Sequence, residues 1–106
     1  MMDEYGWAAN SDMPAADAVR AGWAATVAAL PTGSKITGVV IGRQAFGVFV
    51  RIDGVPAALA LAGIASMPLD MELPALGAVV SGEVYWHDDR NHQVRFRLDE
   101  WQAAGT

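Results

Sequence analysis

The stretch Phe46-Gly47-Val48-Phe49-Val50-Arg51-Ile52-Asp53 carries the clearest chemistry in this 106-residue chain. Two aromatic rings bracket Gly47-Val48, and a guanidinium follows two positions after the second ring. Read as a strand, Val48, Val50 and Ile52 share one face, and Phe49 and Arg51 share the other. The first face suits a core. On the second, an aromatic beside a cation is what a stacked nucleic-acid base and its phosphate would use. In the structural alternative both rings are partly buried and Phe46 closes a turn. Gly47 permits a bulge or a tight coil in the strand, and Gly38 has the same explanation.

Other chemistry-bearing residues are sparser. Lys35, Arg43, Arg51, Arg90, Arg95 and Arg97 are all the bases after residue 32. A groove lined by several would attract phosphate, whereas the plainer reading is a solvated face balanced by Asp53, Asp99 and Glu100. His87-Asp88-Asp89-Arg90-Asn91-His92 gathers side chains able to ligate metal, yet Asp and Asn are also the ordinary residues of hairpin connections. Its spacing matches no metal loop, so no metal and no cofactor are expected. Ser34, Ser66 and Ser81 stand in no nucleophile-elbow motif, and no phosphate loop or dinucleotide fingerprint occurs. The expectation is a protein that is not an enzyme.

The elements that must position these residues follow from periodicity. Residues 1–12 are mixed and polar and read as a flexible leader. Residues 13–31 read as a helix: Val19, Trp23, Val27 and Leu30 form an apolar stripe, Pro14 suits the first turn, and Pro31 and Gly33 end it. Gly22 is its weak point. The stripe packs on the rest of the domain, with Trp86 and Trp101 as its complement, or else docks a partner. Beyond Gly33 the pattern turns to strands at Lys35–Ile41, Phe46–Asp53, Ala57–Leu61, Val79–Trp86 and Gln93–Leu98. Five short strands at this spacing predict a small barrel or sandwich.

Bulk properties bound the alternatives. The length fits one domain, and 53% hydrophobic against 18% charged residues fits a packed core. There is no cysteine, which excludes disulfides and thiolate metal sites and suits a reducing cytoplasm. No apolar run reaches membrane-spanning length, and no basic segment precedes an apolar one at the start, so neither a membrane span nor a secretory signal is expected. The net charge of −5 opposes nucleic-acid binding. The acids are unevenly placed, however: residues 1–32 hold Asp3, Glu4, Asp12 and Asp17 against Arg20, leaving the strand region nearly balanced.

The order Gly38-Val39-Val40, Phe46-Gly47-Val48-Phe49-Val50, Gly54-Val55, Gly77-Ala78-Val79-Val80, Val84 with Asp88 four residues on, and Val94-Arg95-Phe96 resembles the S1 RNA-binding motif, the domain repeated in ribosomal protein S1. The resemblance spans about residues 33–98. It implies an all-β, five-stranded antiparallel barrel of the oligonucleotide/oligosaccharide-binding (OB) type, here with an added N-terminal α-helix, that holds single-stranded RNA on one face. The family's two aromatics match Phe46 and Phe49, and its acidic residue matches Asp88. Its third-strand histidine falls at Ala60, its serine at Ala62, and the arginine opening its fifth strand at Gln93. Arg51, Arg95 and Arg97 offer compensating charge, since Gln93, Arg95 and Arg97 share a face.

The resulting expectation is a helix over 13–31, a barrel over 33–101 and a tail over 102–106. Its function would be non-catalytic binding of single-stranded RNA, ribosome-associated or within another RNA complex. The contacts would be Phe46, Phe49, Arg51, Asp88, Gln93 and Arg95. The alternative is a protein-interaction module on the same fold, docking a basic partner.

Overall fold

A computed structural model describes residues 5–7, 14–55 and 57–104. Strands β2 (Lys35–Gln44), β3 (Gly47–Ile52), β4 (Leu59–Gly63), β5 (Val79–Asp88) and β6 (Gln93–Leu98) form the barrel. Before them come a two-residue strand β1 (Gly6–Trp7) and helices α1 (Ala16–Ala21) and α2 (Trp23–Ala29); helix α3 (Asp99–Ala104) follows. The strands are adjacent in the order β2-β3-β4-β6-β5, and β5 pairs back onto β2 to close the ring.

That closure corrects the expected all-antiparallel arrangement. Strand direction cannot alternate all the way round a ring with an odd number of members. One seam must be parallel, and it falls between β4 and β6, where Ala60 meets Val94 and Leu61 meets Arg95. Gly38, expected to play a structural part, lies at a close crossing: a Cβ there would collide with the Arg51 carbonyl oxygen of β3. Gly47, at φ 152°, would likewise strike the Ala62 carbonyl of β4.

The interior is apolar and built by alternation. Val48, Val50 and Ile52 of β3 point inward with Val84, Val94, Phe96 and Leu98. Trp101 of α3 is buried in this same core. The expected boundary at residue 101 therefore cuts through a helix that runs on to Ala104, while 105–106 lie outside the described residues.

The single helix expected over 13–31 is two. Gly22 sits between them at φ −91°, ψ 5°, away from helical geometry, although the N–H of Gly22 still bonds the Ala18 carbonyl. Glycine lowers the cost of that kink. Met13 lies outside the described residues. Trp23 packs against the β5–β6 hairpin: its indole N–H donates to Asp89 at 2.7 Å, and its ring meets those of His92 and His87 edge-on. His87 Nε2 lies 2.6 Å from the Leu30 carbonyl. The stripe thus meets this hairpin and the end of the barrel core, where Leu30 joins the cluster that holds Trp101 and Trp23 packs against it, while Trp86 stays exposed.

The leader expected over 1–12 is ordered in part. Gly6 pairs with Arg43 and Trp7 with Gly42, adding β1 to the edge of β2. Residues 1–4 and 8–12 lie outside the described residues.

Candidate nucleic-acid interface

The outer surface of the barrel is organised by two bulges. In β2 the register with β3 shifts between Val40 and Gly42, so Ile41 and Gly42 both oppose Phe49. In β5 it shifts between Val84 and Trp86, so Tyr85 and Trp86 both oppose Arg95 of β6. A bulge turns two consecutive side chains to one face. The consequence is a row of paired positions crossing the barrel: Gly42, Phe49, Leu61, Arg95, Trp86.

A second row lies two residues along. It holds Arg51 beside Leu59, and Gln93 beside Asp88. Extending the parallel seam by one residue from Ala60 and Val94 sets Leu59 next to Gln93. Of the six residues singled out from sequence, Phe49, Arg95, Arg51, Gln93 and Asp88 occupy these rows. Phe46 stands at their margin with its ring 5.8 Å from that of Phe49, edge to face.

Shared placement does not mean shared availability. Phe46 is 53% exposed, but Phe49 is only 7% exposed. Phe49 forms a small apolar cluster with Ile41 and Leu61 outside the barrel wall, and Trp7 stacks on its ring at 5.1 Å and 28°. The exposed aromatic expected at residue 49 is therefore a covered one. The cover was invisible in sequence because two residues carry no periodicity; Gly42 was the available signal. A Cβ there would collide with the six-membered ring of Trp7, and a strand glycine often marks such an approach.

Asp88 is also committed. Its Oδ1 accepts from the backbone N–H groups of Arg90 and Asn91, and its Oδ2 accepts from Asn91 Nδ2 at 2.9 Å. Arg95 Nη1 lies 3.6 Å from the same Oδ2. The Asn91 side chain most of all, with those backbone donors and Arg95, holds the Asp88 carboxyl below the usual aspartate range against the opposing effect of burial. The residue fastens the hairpin, and the carboxyl expected to accept from base or ribose is engaged by the chain's own donors.

The third strand needs one further correction. Ala60 and Ala62 are in the core, both 0% exposed, so neither faces a ligand. The outward residue beside Phe49 is Leu61. The polar histidine and serine positions assigned to Ala60 and Ala62 thus correspond to interior sites here.

The cations remain. Arg95 lies over the Trp86 ring at 5.9 Å, and Arg97 over the Tyr85 ring at 4.5 Å. The Nε atoms of Arg51 and Arg95 are buried without a hydrogen-bond partner. Gln93 is half-buried at the start of β6. Trp86, Asp88, Asp89, Arg90 and Arg95 border an open groove of about 540 Å³. Trp86, which sequence reasoning assigned to the helix, stands 52% exposed on this face. Among the described residues, no group of three or more His, Asp or Glu is placed to hold a metal ion, and no helix is long and apolar enough to cross a membrane.

No protein-family model matches the chain, and no curated protein matches it in sequence. Solved structures do match in fold. The apo form of Mycoplasma genitalium RNase R superposes with a TM-score of 0.61 at 15% identity, over 74% of this chain and 15% of that one. GSP13 from Bacillus subtilis gives 0.57 at 25% identity, over 70% of this chain and 59% of its own. The same Mycoplasma RNase R in complex with ribose-methylated single-stranded RNA gives 0.55 at 16% identity, over 63% of this chain and 13% of that one. The chain thus spans a small part of RNase R and somewhat over half of GSP13. With the closed five-stranded ring, these likenesses define the domain as an S1-like OB fold.

Proposed function

We propose that this chain is a non-catalytic module that binds single-stranded RNA across the outer face of β3, β4, β6 and β5. One observation carries the reading. The two bulges and the parallel seam set exposed Phe46 and the guanidinium groups of Arg51 and Arg95 on one continuous surface. Aromatic faces stack bases without regard to sequence, and the arginines neutralise phosphate or stack as planes. The likeness to an RNase R structure that holds single-stranded RNA supports the same reading.

The test is a fluorescence-anisotropy titration of a labelled eight-nucleotide RNA at about 50 mM salt, where electrostatic attraction is weakly screened. The full-length chain binds, and Phe46→Ala weakens binding by roughly 5-fold or more, the lower range for one stacked base. Arg95→Ala flattens the dependence of log Kd on log salt by about 0.7, the contribution of one phosphate contact to a single strand. The RNA is recovered intact after incubation. Absence of binding at that salt overturns the reading. The second reading, docking of a basic protein, is favoured by the net charge of −5, and it becomes the better one in that event.

A further inference from the structure

We infer that Trp7 and Trp86 are the two base-stacking platforms of this face, and that Phe49 is the pedestal beneath the first of them. The inference rests on the proposed binding of single-stranded RNA and names the rings that perform it.

Phe49 has no free face to offer. It is 7% exposed, with Ile41 and Leu61 beside it and the Trp7 ring stacked upon it. Trp7 has the opposite character. One side of its indole lies on Phe49 and over the Cα of Gly42, where any side chain would collide with it, and the residue remains 51% exposed. The backbone pairing of Gly6 with Arg43 and of Trp7 with Gly42 fixes the ring, and the side-chain amide of Gln44 donates to the Gly6 carbonyl. A large ring held on one side and open on the other is a stacking surface that has already lost its rotational freedom.

Trp86 mirrors it across the row. The β5 bulge turns it outward, and the Arg95 guanidinium stands over its ring and leaves the residue 52% exposed. Three strand steps separate β3, which carries the Trp7 platform, from β5. At ~4.8 Å per step that is an arc of roughly 14 Å, the reach of about two to three extended nucleotides. Arg95 lies between the platforms, where the intervening phosphate would pass. The geometry therefore points to a short ligand, two bases stacked on tryptophans with one guanidinium between them.

The alternative use of Trp7 is as a cover that a base must displace from Phe49, and the two uses give opposite results. Wild type, Trp7→Ala, Trp7→Phe and Trp86→Ala are titrated with the same labelled eight-nucleotide RNA, and each fold is checked by thermal melting. As platforms, Trp7→Ala and Trp86→Ala each weaken binding about 5- to 100-fold, and Trp7→Phe retains most of the affinity. Tighter binding by Trp7→Ala shows a cover and overturns the inference for Trp7. Unchanged affinity in both alanine variants overturns the inference altogether while leaving RNA binding itself intact. Failure of wild type to bind removes this inference together with the reading beneath it. Because Trp7 is a peripheral attachment to β2, its removal leaves the barrel melting transition cooperative.

Discussion

The two faces of β3 share one backbone and differ in how they are supported. Inward, Val48, Val50 and Ile52 belong to a core to which all five barrel strands and Trp101 contribute. Outward, Phe49 rests between Ile41 and Leu61 under a single tryptophan from a two-residue strand. The inner face is redundant: each side chain is held by many neighbours, and its loss leaves a cavity inside a closed wall. The outer face has few supports: Ile41 and Leu61 at its sides, Phe46 at its edge and Trp7 above. The same residue type therefore has different duties on the two sides. Inside it supplies stability, whereas outside it supplies a prepared surface.

The sharpest way to break this comparison is to remove one phenylalanine from each side. Phe96→Ala opens the core and lowers unfolding stability by about 3–5 kcal/mol in a denaturant titration. Phe49→Ala lowers it by about 1–3 kcal/mol, because water reaches the outer cluster more readily than it reaches the core. Equal losses would make the outer cluster a second core and end the distinction.

Asp88 offers an intermediate effect. Its carboxyl is held below the ordinary aspartate range in the folded chain, so its contribution is present at neutral pH and disappears as pH falls below about 4 through the folded value. Asp88→Asn lowers stability at pH 7 by roughly 1.5–3 kcal/mol, the range for hydrogen bonds to a charged group. It also makes acid unfolding shallower below about pH 4. RNA affinity at neutral pH does not weaken, since the substitution removes a negative charge 3.6 Å from Arg95. A variant with an unaltered acid profile and weakened RNA binding would return Asp88 to the ligand. The smallest effect belongs to Lys35, whose exposed ammonium bonds Asp99 at 2.6 Å. Lys35→Ala leaves the thermal midpoint within measurement error, as is common for solvated ion pairs.

What could be read from the sequence was whatever repeats. Alternation along Val48, Val50 and Ile52 and along Val94, Phe96 and Leu98 placed the strands and their inner faces, and the spacing of Phe46, Phe49 and Asp88 led to the S1-like fold. Contacts between distant segments were not legible. Nothing periodic marks Gly6–Trp7, whose place is set by a stack on Phe49 rather than by its own pattern. The third strand was read one position out of phase, since an alanine-rich run such as Ala57–Ala62 alternates too weakly to distinguish its faces. The orientation of the β4–β6 seam was decided by ring parity, a property of the whole barrel that no single segment carries.

That parity has a consequence for how the chain reaches its fold. Strands β2, β3 and β4 pair with their sequence neighbours, and so do β5 and β6. The two groups meet only through β2–β5 and β4–β6, and the first of these joins Thr37 to Ser81 across 44 residues. Both closing seams therefore join segments far apart in sequence. Folds dominated by such non-local pairings commonly form in the millisecond-to-second range, slower than chains whose contacts are local.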